Sequence, residues 1–287
     1  MYQVRTHDDC FLIYELIDSS TNSWVKVAPE RGGLIIGFGV QGEEILYLDK
    51  ATFEQPDTNV RGGIPILFPT CGQLSNGGYS LDGVTYPLGN HGFARNLPWT
   101  VICTGTDGEA SITLQLESNE ETRKSYPFDF ELTFTYALQG NKLQILQKYE
   151  NKSAEDMPFY AGFHPYFLSQ EKHLAFKTDA TRYLDYNDMQ IKPYEGSIDL
   201  GNMKESPVFL DAQENRISVS LPQAKRKLTL EYGKEFKYVV LWSVEGKEFV
   251  CVEPWMAKAD AFNTAEDVVM LHAGDSLHTY FNITCDK

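Results

Sequence analysis

"SITLQLES", residues 111–118, and "FELTFTYAL", residues 130–138, decide how this chain folds. In the first, Ile112, Leu114 and Leu116 alternate with Ser111, Thr113 and Gln115; in the second, Phe130, Leu132, Phe134 and Tyr136 alternate with Glu131, Thr133 and Thr135. A period of two is that of an extended chain, whose successive side chains point to opposite faces. Such a strand belongs to an antiparallel sheet with one face on a core and the other in water. Between the two lies "NEETRKSYPF", residues 119–128, which has room for a turn or two of helix before Pro127 stops it.

Working outward, the same short runs rich in Val, Ile, Thr, Tyr and Phe recur along the chain. "LIIGFGV" (34–40), "KLQILQKYEN" (142–151), "RISVSLP" (216–222), "KLTLEYG" (227–233), "YVVLWSV" (238–244), "EFVCVEP" (248–254) and "LHTYFNIT" (277–284) are separated by Gly, Pro, Asn or Asp. No apolar stripe of helical period continues past about ten residues. The expectation is an all-β chain, a large antiparallel β-sandwich forming one domain over residues 1–287, with long loops at 50–98 and 184–212.

Composition narrows the function classes. The 287 residues are 42 % hydrophobic and 23 % charged, ordinary values for a globular protein. A net charge of −15 disfavours nucleic-acid backbones and anionic membrane surfaces as partners. The start "MYQVRTHDDCFLIYEL" lacks the pattern of a signal peptide, and no apolar run is long enough to span a bilayer. Cys10, Cys71, Cys103, Cys251 and Cys285 are odd in number and never form a CxxC pair. They read as reduced, buried thiols in a cytoplasmic protein, with no disulfide framework or zinc site and no Cys tied to a nearby His.

"GFGVQG", residues 37–42, matches GxGxxG, but the next residues, "EEILYL", read as another short strand and not as the helix that a dinucleotide's pyrophosphate needs. These glycines are assigned to a hairpin or bulge.

Three segments concentrate the chemistry. Residues 61–99 are dense in Gly and Pro yet hold Arg61, His91 and Arg95; Gly62, Gly63 and Gly92 permit close backbone approach to a ligand or to another strand. "YAGFHPYF" (160–167) places His164 on one face with Gly162 and Tyr166, over a floor of Phe163 and Phe167, and Pro165 interrupts the ladder. In "EFVCVEPW" (248–255), Glu253 shares a face with Phe249 and Cys251, which should desolvate the carboxylate and raise its pKa. Trp99, Tyr166 and Trp255 lie close by in sequence. Singly, each residue also fits a bland role, a core histidine or a rim charge. Together, one carboxylate and two imidazoles suit paired proton transfer.

The ordered set "RGGIPILFP…NHGFAR", "FHPYF" and "FVCVEPW" resembles the aldose 1-epimerase (galactose mutarotase-like) superfamily over roughly residues 30–285. The resemblance implies a β-supersandwich with an open sugar cleft and a small-molecule sugar as partner, with no cofactor and no metal. Glu253 would be the general base and His164 the general acid of ring opening. His91 and Arg61 would contact the sugar, and Asp185 or Asp188 in "TRYLDYND", with Asp185 in "RYLD" the better match, would order its hydroxyls. In the branch resembling glucose-6-phosphate 1-epimerase, Arg61 and Arg95 would grip a phosphate, but that branch usually carries Gln where this chain has Asn90. The expected substrate is therefore a free hexose, with hexose 6-phosphate as the alternative and a silent carbohydrate-binding protein as a third reading. Either a monomer or a homodimer is compatible with the sequence.

Overall fold

The computed structural model describes residues 1–222 and 225–287. Both opening segments are strands, Ala110–Glu117 and Phe130–Gln139, paired antiparallel with Leu114 across from Phe134. Their apolar side chains are buried and the intervening ones are not. The helix between them runs over Glu120–Ser125, and Asn119 caps it by accepting hydrogen bonds from the Glu121 and Thr122 amides.

These strands belong to a nine-stranded antiparallel sheet. Its order is Ser197–Asp199, His173–Lys177, Arg216–Leu221, Arg226–Tyr232, Ser276–Asp286, Lys142–Asn151, Phe130–Gln139, Ala110–Glu117, Thr100–Gly105. An eight-stranded sheet contains Gln190–Pro193, Arg182–Asp185, Pro207–Phe209, Tyr238–Trp242, Phe249–Trp255, Gly162–Phe163 and Ile66–Leu67 in that order, with Tyr166–Leu168 also paired to Phe249–Trp255. Side chains of both sheets share one core. Phe163, from the second sheet, has its ring 5.1 Å from that of Phe281 and 6.2 Å from that of Phe134, both in the first. Burying such a ring contributes about 1.5–3 kcal/mol, and here it anchors the residue next to His164. The antiparallel sandwich is the expected fold.

One expectation about the loops needs correction. The 184–212 stretch is not one loop, since it carries the short strands Gln190–Pro193, Ser197–Asp199 and Pro207–Phe209. Gln190–Pro193 and Ser197–Asp199 are polar edge strands, Pro207–Phe209 is an interior strand of only three residues, and none is long enough for alternation to betray it. A five-stranded meander opens with Tyr2–Asp8 and Leu12–Asp18, which composition did not single out. Residues 50–98 are largely irregular as expected, apart from short pieces such as the hairpin of Gly78–Leu81 with Val84–Pro87.

The GxGxxG run is the end of a strand and a hairpin turn. Gly39 lies under Trp24, where a Cβ would come within 2.1 Å of the indole, and Gly42 takes φ 84° in the turn. Of the five thiols, Cys71, Cys251 and Cys285 are buried, while Cys10 and Cys103 are exposed, contrary to expectation. None is in a disulfide. Among the described residues no helix is long and apolar enough to cross a membrane.

Candidate active site

The strand Phe249–Trp255 runs through the middle of the eight-stranded sheet. Val250 and Val252 belong to the main core, and Phe249 and Cys251 to a separate buried cluster with Tyr166. Glu253 and Trp255 reach the cleft, Trp255 also packing on the main core. On one flank its register pairs Gly162 with Trp255 and Tyr166 with Cys251. The residue facing Glu253 in that register is His164. Pro165 cannot donate to the ladder, so pairing stops there and the imidazole and carboxylate meet across the gap.

His164 Nδ1 lies 3.5 Å from Glu253 Oε1, without the alignment of a hydrogen bond, and that nitrogen has no hydrogen-bond partner among the described residues. Tyr166 stacks flat on the His164 ring, 4.6 Å away and 7° from parallel. Trp255 donates its indole N–H to Glu253 Oε2 at 3.1 Å. Glu253 is 1 % exposed and His164 6 %. Burial pushes the Glu253 carboxyl well above its usual range, against the pull of the Trp255 hydrogen bond and the Arg95 charge. Burial, followed by the positive fields of Arg95 and Arg61, lowers His164 to about 3. Both effects favour the uncharged forms of the pair.

His91 is held by a reciprocal clamp with Gly72. The Gly72 amide donates to His91 Nδ1 at 2.9 Å, and the His91 amide donates to the Gly72 carbonyl at 3.0 Å. An Nδ1 that accepts must carry its lone pair there, so in the neutral ring the proton sits on Nε2. Burial, with Arg95 and His164 nearby, keeps His91 well below its usual pKa, and the ring is a neutral donor. The clamp needs Gly72, which has φ 80° and whose absent Cβ would stand 2.8 Å from that of Ala259.

Arg61, His91, Arg95, His164 and Glu253 all line one cavity of about 470 Å³, walled by Tyr166, Trp242 and Trp255. The Arg61 guanidinium lies 5.8 Å from the Trp242 ring centroid. Arg95 donates to the Asn90 carbonyl at 2.8 Å, and its buried Nε has no hydrogen-bond partner among the described residues. Neither arginine has a carboxylate within ion-pair distance among the described residues. The glycines beside these residues serve the backbone and not a ligand: a Cβ on Gly62 would meet Leu48 Cα at 2.5 Å, and one on Gly92 the Phe68 carbonyl at 2.2 Å.

Asp185 does not line the cavity. Its carboxylate accepts from Lys192 at 2.5 Å and from the Asn187 amide and side chain at 2.9 and 2.7 Å. Burial raises its pKa, but these bonds win and hold it below the usual value. Asn187 in turn ties down the Lys204 and Glu205 amides. Asp185 thus supports a strap whose Tyr186, Met189, Glu205 and Ser206 form the opposite wall. Trp99 is also elsewhere, packed on Phe134 with its N–H on the Ala94 carbonyl. Cys251, legible in the sequence only as a face neighbour of Glu253, also approaches His164. Its strand-mate spacing to Glu253 was visible, but its proximity to His164 exists only across the strand pair.

The family described as aldose 1-epimerase matches residues 17–284. This chain belongs to the aldose 1-epimerase family. An Escherichia coli K12 protein named "Putative glucose-6-phosphate 1-epimerase" is 37 % identical over 228 residues, 74 % of this chain and 72 % of that protein. The LacX protein of Lactococcus lactis is 28 % identical over 222 residues, 68 % of this chain and 73 % of its own. Among solved structures, Slr1438 of Synechocystis sp. PCC 6803 superposes with a TM-score of 0.93 at 36 % identity, covering 100 % of this chain and 99 % of that one. The galactose 1-epimerase of Lactobacillus acidophilus NCFM shares the fold, with a TM-score of 0.78 at 14 % identity over 100 % of this aldose 1-epimerase family member and 98 % of that chain.

Proposed function

We propose that this protein interconverts the α and β anomers of a hexose by acid/base ring opening, with Glu253 as base and His164 as acid. The observation that carries this reading is the buried His164–Glu253 pair, 3.5 Å apart at the base of the cleft. The two oxygens that exchange protons in mutarotation share the anomeric carbon, so an acid and a base a few ångströms apart reach both.

Glu253 takes the proton of the C1 hydroxyl, and that oxygen's electrons form the carbonyl as the C1–O5 bond breaks. O5 receives a proton from His164. The free aldehyde rotates about C1–C2, and the reverse steps close the ring on the other face. The pair holds the same number of protons before and after. Glu253 protonated with His164 neutral, and Glu253 ionised with His164 protonated, differ only in where one proton sits. Trp255 favours the ionised carboxylate. His91, through Nε2–H, donates to the sugar, and Tyr166, Trp242 and Trp255 pack its apolar face.

The first substrate is a free hexose, as the acidic surface and Asn90 suggest. A second reading, hexose 6-phosphate, is favoured by the two arginines that have no carboxylate partner among the described residues, a pairing suited to phosphate, and by the name of the Escherichia coli relative. Polarimetry on freshly dissolved α-glucose and α-galactose tests the activity. Faster decay of rotation with the protein supports it, and an unchanged decay for these and for glucose 6-phosphate would refute it.

A further inference from the structure

Beneath the proposed acid and base lies a thiol that ring opening does not use. Cys251 sits one pleat from Glu253 on the same face of its strand and faces Tyr166 across the sheet. One ligand atom from each of His164, Cys251 and Glu253 lies within 4.8 Å of the others, and all three residues are buried. His164 Nδ1 has no hydrogen-bond partner among the described residues, although the residue is only 6 % exposed. Three unlike donors, one of them orphaned, thus converge just behind the cleft surface, with His164 and Glu253 in its lining and Cys251 buried beneath them.

We propose that this cluster is an inhibitory site for a thiophilic divalent cation of the zinc type, held by an imidazole nitrogen of His164, the Cys251 sulfur and a Glu253 carboxylate oxygen. Donors in a tetrahedral zinc shell, about 2.0–2.3 Å from the metal, stand roughly 3.3–3.8 Å apart, so the three need only a modest inward movement. Binding releases the thiol proton to solvent. Thiolate and carboxylate then carry two negative charges that a divalent cation neutralises, removing the cost of burying them. The fourth position opens to the cleft and takes water. Magnesium and calcium prefer all-oxygen shells and should not compete. Occupancy ties up both proposed proton-transfer groups, so the metal blocks the reaction.

The test is a Co²⁺ titration of the full chain in a Cys10→Ser, Cys103→Ser background, where the exposed thiols are silent. A near-ultraviolet thiolate-to-cobalt band, bleached by Zn²⁺ but not by Mg²⁺, is expected. Cys251→Ser should abolish the band, and Glu253→Gln, which keeps the side-chain volume, should weaken cobalt binding at least about tenfold. Zn²⁺ should stop any anomerisation in the parent at concentrations that leave the Cys251→Ser protein active. No band in the parent, or a band that persists after Cys251→Ser, would overturn the assignment. If Cys251→Ser does not fold, an unchanged band in Glu253→Gln would overturn it instead. The spectral readout does not depend on catalysis, so failure here is separate from failure of the proposed function.

Discussion

His164 and Glu253 face each other in the three-residue gap between the Gly162–Trp255 and Tyr166–Cys251 pairs, where Pro165 and Pro254 leave the ladder open. The sheet that buries the pair also supplies its neighbours, with Tyr166 stacked on the imidazole and Trp255 bonded to the carboxylate. Glu253 is carried on a strand and His164 sits in the short link between two strands, so regular structure on both sides fixes the pair.

Replacing either partner should slow the chemistry while sparing binding. Glu253→Gln and His164→Asn are each expected to lower the rate constant for anomer exchange by roughly 10²–10⁴, with sugar affinity by calorimetry within a few-fold of the parent. Near-normal turnover in Glu253→Gln would remove Glu253 from the role of base.

The same substitution should stabilise the fold at neutral and alkaline pH. An unfolded Glu253 ionises near the usual carboxyl pKa, whereas the folded one keeps its proton to higher pH. The folded state then binds more protons, and stability falls as pH rises through that window. Gln carries no charge and is free of this loss. Denaturant melts of parent and Glu253→Gln should separate progressively above about pH 4.5, the variant being the more stable; parallel curves would contradict the burial argument.

Histidine gives the opposite sign. Folded His164 resists protonation down to about 3, and His91 is also well below its usual value, while unfolded histidines take up protons near 6.5. Stability due to these rings is complete above that pH and drains away below it, by roughly 1.4 kcal/mol per pH unit for each neutral ring. In a His91→Gln variant the acid-side slope should be shallower, as read from melts between pH 4 and pH 7, a range set by roughly the histidine titration.

Arg61 and Arg95 decide between substrates. If a phosphate is held, Arg95→Ala should raise KM for glucose 6-phosphate by about 10–100-fold, the worth of a charge-assisted hydrogen bond, with little change for glucose. Equal effects on both sugars would assign Arg95 to positioning the Asn90–His91 turn through the Asn90 carbonyl.

Arg31 offers a test away from the cleft. Its side chain is 4 % exposed and donates to the carbonyls of Thr52, Phe53, Gln55, Pro56 and Thr58, gathering the segment that leads to Arg61. Arg31→Met removes a donor from all five. Thr52 and Gln55 keep the Thr58 hydroxyl or amide, while the Phe53, Pro56 and Thr58 carbonyls lose the guanidinium. The expected cost is about 1–3 kcal/mol for each that stays buried and unsatisfied, measured by chemical denaturation; a loss under 1 kcal/mol, roughly the worth of a surface contact, would show that water replaces the clamp.

The strands with clean alternation, such as Phe130–Gln139, were legible because burial on one face imposes period two on the residues. So was the environment of Glu253, since its face neighbours lie two residues apart in the same strand. Asp185 was misplaced because an acid in a polar turn looks the same whether it points at a ligand or at Lys192 and Asn187. Arg31 shows the same limit: Arg31-Gly32-Gly33 and Arg61-Gly62-Gly63 are identical tripeptides, yet one arginine is buried on backbone carbonyls and the other opens onto the cleft. Cys251 met His164 only through strand register, which pairs residues far apart in the chain.

The most direct measurement is two-dimensional NMR exchange spectroscopy on equilibrated glucose, galactose and glucose 6-phosphate, with the parent protein and with Glu253→Gln. Exchange cross-peaks between α and β anomers that grow with the parent and vanish with the variant are the predicted result, and the sugar that shows them identifies the substrate. Equal cross-peaks with parent, variant and no protein would contradict the account; sugar-shift changes alone would leave a binding protein on an epimerase scaffold.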